Sequence, residues 1–162
     1  MMKTRNTFLS AALIATFART SLSTASADGM KHHGAQAEMS IGHKGIAKDV
    51  NRTITIEASE IAFDVKNIDV KAGETIRFVL INKGEQPHEL ALGSADEQSA
   101  HRDMMAEMAG MKMEHAEGNS VSTEPGETKE LIWTFTKAGA FEFACNYPGH
   151  AELGMTGPLM VK

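Results

Sequence analysis

The sequence predicts an all-β domain: a Greek-key β-sandwich of seven to eight short strands with one helical insertion. Three observations lead there. Short runs that alternate apolar and polar residues with period two recur from about residue 52 to the C-terminus. Turn-forming residues separate those runs, at Gly73, Asn82-Lys83-Gly84, Pro125-Gly126 and Gly139. The pattern breaks once, over about residues 95–117, where Ala, Glu, Met and Lys crowd together and favour a helix.

Taken in order, the chain starts with residues that belong to no domain. Lys3 and Arg5 form a basic head, Phe8 to Phe17 a short apolar run, and Ala25-Ser26-Ala27 a small-residue cleavage site. Residues 1–27 therefore read as a signal peptide, too short in its apolar part to span a membrane. The expected location is periplasmic, with no membrane span in the mature form. Residues 28–50, with Met30, His32, His33, Met39 and His43, show no sustained period and read as a flexible leader.

The folded domain is expected over 51–162. Thr53 to Ala58 alternates as a half-buried strand does, and Ile61, Phe63 and Val65 suggest a second. Val70 to Glu74 reads as a turn. Thr75 to Ile81 is apolar on both faces, which suits a central strand. After the loop at 82–87, His88 opens a short strand to Leu92. Beyond the insertion, Thr128 to Thr136 places Leu131, Trp133 and Phe135 on one face. Phe141 and Phe143 share a face with Cys145, and Leu159 and Val161 mark a last strand.

Charge and cysteine usage narrow the function. The whole chain carries −5 at pH 7, and loss of Lys3, Arg5 and Arg19 with the signal peptide makes the mature part more acidic still. That argues against nucleic-acid binding and permits a basic protein partner. Cys145 is the single cysteine, so an internal disulfide is excluded. In an oxidising compartment a lone thiol is a liability unless it is metallated or otherwise protected.

Cys145 stands in Phe143-Ala144-Cys145-Asn146-Tyr147-Pro148-Gly149-His150, with Met155 shortly after. Taken singly, a cysteine after a strand is usually a small buried hydrophobe. The spacing Cys-x4-His-x4-Met between two strand patterns is more telling. Pro148 and Gly149 turn the chain so that thiolate, imidazole and thioether can converge, and that soft donor set selects copper. A second imidazole is missing. His88 suits best, since it sits where a loop enters a strand. His101 and His115 in the insertion, and His32, His33 and His43 in the leader, are disfavoured by context without being excluded. Zinc would accept the thiolate and imidazoles but not a methionine. A thiol enzyme using Cys145 would need an oxyanion device and an orienting acid, and neither is evident.

These residues resemble the ligand loop of the cupredoxins, the fold of plastocyanin, azurin and rusticyanin. The resemblance covers roughly residues 50–162, with Pro87-His88 and Met155 at the remaining ligand positions. It implies an eight-stranded Greek-key sandwich with one type 1 copper at one end, held by His88, Cys145, His150 and Met155. It also implies that His150 lies near the surface, where electrons pass, and that the protein is not an enzyme. The chain departs from the pattern at Glu89, where plastocyanin and azurin carry an Asn that braces the cysteine loop. Its extra residue before Met155 is closer to rusticyanin.

The insertion and leader have no place in a minimal electron carrier. They are similar to those of exported bacterial copper-tolerance cupredoxins. Met104, Met105, Met108, Met111 and Met113, flanked by His101 and His115, could form an accessory copper surface, as could His32 and His33. The bland alternative is a helix that packs over the sandwich. The expected function is one-electron transfer serving copper tolerance, or else a dedicated carrier between respiratory proteins. The expected partner is a redox protein, a c-type cytochrome or a copper oxidase.

Overall fold

The computed structural model describes residues 41–108 and 118–162. The expectations for the signal peptide and for most of the leader lie outside them. Ten strands, one α-helix and a single 3₁₀ turn (Ala47–Asp49) occur among the described residues: β1 (Gly42–Lys44), β2 (Arg52–Ser59), β3 (Ala62–Phe63), β4 (Ile68–Val70), β5 (Thr75–Asn82), β6 (His88–Gly93), α1 (Ala95–Glu107), β7 (Ser120–Thr123), β8 (Thr128–Phe135), β9 (Gly139–Ala144) and β10 (Thr156–Val161). They form two five-stranded sheets, ordered β1-β8-β5-β2-β3 and β4-β10-β9-β6-β7. Pairing is antiparallel except for β2 with β5 and β4 with β10. The expected sandwich is thus present, with ten strands in place of seven or eight.

Alternation places the core between the sheets. Ile56 and Ala58 on β2, Ile76, Phe78 and Leu80 on β5, and Leu131, Trp133 and Phe135 on β8 are buried from one side. Leu90 and Leu92 on β6, Phe141 and Phe143 on β9, and Leu159 and Val161 on β10 meet them from the other. Aromatic contacts knit the layers. Phe63 and Phe143 lie 5.7 Å apart between ring centres, and Phe78 meets Phe135 edge-on at 6.2 Å. β5 is central in its sheet, as its two apolar faces suggest.

Three strands depart from the sequence reading. β1 lies inside the stretch expected to be a flexible leader. It pairs with β8 at Gly42–Phe135, and Ile41 before it is fully buried, so the fold begins by residue 41. β4 occupies the front of the expected turn, pairing with β10 at Val70–Val161, and the turn itself follows at 71–74. β7 is a polar edge strand beside β6.

β6 is buried at every position. Its 88, 90, 92 face looks into the core, as an alternating strand requires. Its 89, 91, 93 face lies under α1. The helix starts on a capping box: the Ser94 hydroxyl accepts from the Glu97 N–H, and the Glu97 carboxylate accepts from the Ser94 N–H at 2.6 Å. The face it sets on the sheet is polar, with Gln98 and Met105 buried and His101 between them. The expected helix therefore packs over the sandwich. No helix among the described residues is long and apolar enough to cross a membrane.

Candidate metal centre

The second sheet brings the candidate ligands together at one end. His88 begins β6, Cys145 follows β9, and Met155 precedes β10. The loop between β9 and β10 closes on itself. The Cys145 N–H donates to the Met155 carbonyl at 3.0 Å, and the Met155 N–H to the His150 carbonyl at 3.0 Å. The His150 N–H donates to the Tyr147 carbonyl at 3.0 Å. Gly149 takes φ 86°, a left-handed conformation that glycine adopts without strain, and so completes the turn that brings His150 back.

The side chains converge. One donor atom from each of His88, Cys145 and His150 lies within 4.8 Å of the other two, and all three residues are buried. Sγ of Cys145 is 3.3 Å from Nδ1 of His150, and the His88 and His150 rings stand 5.2 Å apart between centres. Met155 is fully buried, and its backbone is paired with that of Cys145.

Two physical facts mark the cluster as a metal site. Both ring nitrogens of His88 are buried with no hydrogen-bond partner among the described residues. Orphaned buried nitrogens are costly unless something occupies them, and a metal ion does so. Burial also holds His88 and His150 below the usual histidine range, with the neighbouring His150 charge adding to the effect at His88. Both rings are therefore neutral near pH 7 and present lone pairs. Burial pushes the Cys145 thiol up to about 12, and the nearby charge of Glu89 adds to the rise. A cation must displace that proton, so metal uptake releases it and strengthens with rising pH. Thiolate, two neutral imidazoles and a thioether fit copper.

The surroundings fix the ligands. Nε2 of His150 lies 3.4 Å from Oε1 of Gln86, which leaves Nδ1 facing the sulfur. His150 is 6 % exposed, while His88, Cys145 and Met155 have no exposure, so it is the ligand nearest solvent yet not an open one. Asn82 shapes the loop before His88, donating to the Gln86 carbonyl at 2.7 Å and accepting from the Gly84 N–H at 2.9 Å. A Cβ at Gly84 would stand 3.0 Å from Nε2 of His88. Glu89 keeps its N–H on the sulfur, at 3.3 Å, while its side chain turns away to α1.

The chain matches the family model described as copper binding proteins, plastocyanin/azurin family, over residues 50–162. It belongs to that family. This cupredoxin is 40 % identical over 166 residues to the copper-resistant cuproprotein CopI of Rubrivivax gelatinosus, covering 98 % of this chain and 99 % of that one. It is 38 % identical over 165 residues to the CopI of Pseudomonas aeruginosa, covering 85 % and 89 %. A reduced auracyanin from Roseiflexus castenholzii superposes with a TM-score of 0.58 at 28 % identity, over 70 % of this chain and 98 % of that one. The cofactor is copper, with His88, Cys145, His150 and Met155 positioned as a type 1 site.

The accessory candidates fare differently. His101 faces Glu89. Met105 is buried, and Met104 and Met108 are half-buried. Met111, Met113, His115, His32 and His33 lie outside the described residues. Sequence reasoning gave no role to Gln86, Gln98 or Asn146. The capping box and a strand buried on both faces were the available signals for the helix that uses two of them.

Proposed function

We propose that this cupredoxin is an exported, periplasmic carrier, not an enzyme, that passes single electrons and serves copper tolerance. The observation that carries the reading is the buried triad of His88, Cys145 and His150, with both His88 nitrogens lacking a protein partner. Bound copper supplies a one-electron couple, and a trigonal His2Cys set with a weak thioether is acceptable to both its oxidation states. The chain's own residues keep that set rigid. The Cys145–Met155 backbone pairing and the His150 turn hold three ligands through one loop, and the β6 ladder holds the fourth. Little has to move when an electron arrives.

His150, with its 6 % exposure, offers the shortest way out. Leu153, 69 % exposed in the same loop, supplies an apolar contact for a redox partner such as a c-type cytochrome or a copper oxidase. The acidic chain favours a basic partner surface. Tolerance is supported by the relatives, which carry the name copper-resistant cuproprotein. The test is growth of a deletion strain on excess copper, set against its respiration without added copper. Failure on copper with normal respiration is expected. Impaired respiration with normal copper tolerance would assign the protein to a dedicated respiratory carrier instead.

A further inference from the structure

The polar underside of α1 has no role in a helix that merely covers apolar surface. Gln98 and His101 share a face with Met105, at the i, i+3 and i+7 spacing normally filled by apolar residues. Each is spent on the segments that carry copper ligands. Nε2 of Gln98 donates to the Ala91 carbonyl of β6 at 2.9 Å and to the Glu142 carbonyl of β9 at 3.3 Å. Its Oε1 accepts from Nδ2 of Asn146, the residue after Cys145, at 2.7 Å. Nε2 of His101 stands 3.1 Å from both carboxylate oxygens of Glu89, the residue after His88. Glu89 is fully buried, and its own N–H donates to Sγ of Cys145 at 3.3 Å. A carboxylate buried this near a thiolate is costly without a partner.

We propose that Glu89 and His101 are a positioning pair for the copper site: the helix grips the Glu89 side chain and so fixes the backbone N–H that holds the Cys145 sulfur. The role follows from connectivity. His101 can move Glu89 only by moving the residue that links His88 to the sulfur. An apolar residue at position 89 would supply the same N–H without that anchor, and would need no histidine above it. Gln98 completes the grip on the other ligand segment through Asn146. The insertion is therefore part of the copper site's outer shell, whatever else its methionines do.

The proposal rests on the copper-site reading, and the experiment separates the two. Wild type, Glu89→Gln, His101→Ala and His101→Gln are loaded with one equivalent of copper. Reduction potential, visible absorption and copper affinity by chelator competition are then compared, with melting of the copper-free forms as the control for folding. Glu89→Gln, which alters the contact with His101, is expected to move the potential and the absorption away from wild type. His101→Ala is expected to change the absorption and weaken affinity about 10- to 100-fold, as loss of an outer-shell partner does. His101→Gln, which keeps a donor, is expected to recover most of that loss. Should His101→Ala fail to fold, the near-isosteric Glu89→Gln and His101→Gln carry the test. A wild type without a thiolate-to-copper band would sink the copper reading. A normal wild type whose variants match it in potential, absorption and affinity would overturn the pair alone.

Discussion

In the sheet β1-β8-β5-β2-β3 no strand supplies one of the four copper ligands, whereas His88 begins β6 in the other sheet and Cys145, His150 and Met155 lie on its β9–β10 loop. The first sheet holds its place through bulk. Phe78, Trp133 and Phe135 are fully buried in it, and its outer face stays open to solvent at many positions. The second sheet is closed on both faces where the site lies. Its inner face meets the core, and its outer face is covered along β6 by α1. One sheet is a platform and the other a holder, so stability and metal chemistry should separate on mutation.

The largest break in that division should come from the platform. Trp133→Ala removes the largest fully buried side chain and should cost about 3–5 kcal/mol of stability in a denaturant titration. The molecules that remain folded should still bind one copper with an unchanged spectrum. A changed spectrum would mean that the two sheets are coupled more tightly than their roles suggest.

A smaller effect, felt mainly at the copper, is expected in the holder. Gly84→Ala puts a Cβ 2.8 Å from the Glu60 amide and 3.0 Å from Nε2 of His88. Neither the Glu60 amide nor the buried His88 ring can yield easily, so the loop itself should shift and displace the imidazole. Copper affinity should fall about tenfold by chelator competition, and the copper-free protein should melt somewhat lower as the loop adjusts. Equal affinity to wild type would show that the loop has slack.

The least effect concerns the clasp that joins the two sheets near Val70 and Val161, strands' length away from Met155. Nε of Arg52 on β2 donates to Glu74 at 2.7 Å, and its Nη2 donates to the Asp69 carbonyl of β4 at 2.6 Å. The Arg52 hydrogen bond is the chief reason why the Glu74 carboxyl is held below the usual carboxylate range. Its folded value is depressed, so its contribution is present above the unfolded value and is lost as pH falls through the folded one. The stability gap between wild type and Glu74→Gln should therefore be small at pH 6 and shrink as pH falls below the ordinary carboxylate range. Both groups are solvent-accessible, so added salt should shrink it too. A gap that stays constant or widens as the solution is acidified would contradict this origin.

The same division explains what the sequence made legible. β2, β5 and β8 each have eight residues, long enough for period two to show. β1 and β4 have three residues each, and a three-residue run carries no period. β1 is Gly-His-Lys, and only its position against β8 makes Ile41 core. β7, Ser-Val-Ser-Thr, is polar because it lies at an edge.

The ligands were legible for a different reason. Cys145, His150 and Met155 are rare residue types packed into one loop, and His88 stands at a strand start. The Glu89–His101 contact was not, because it depends on how α1 lies across β6, and nothing local encodes that docking. Glu89 drew attention only as a departure from the family pattern. The helix itself was readable from composition, but its methionines obscured the polar residues that face the sheet.

The central claim is that Cys145, His88, His150 and Met155 hold one copper ion. Titrating the copper-free mature protein with Cu(II) while recording visible absorption and electron paramagnetic resonance tests it most directly. The account predicts one equivalent bound, with an intense thiolate-to-copper band that is absent in Cys145→Ser. A wild-type protein that stays colourless, or a Cys145→Ser variant that keeps the band, would contradict it.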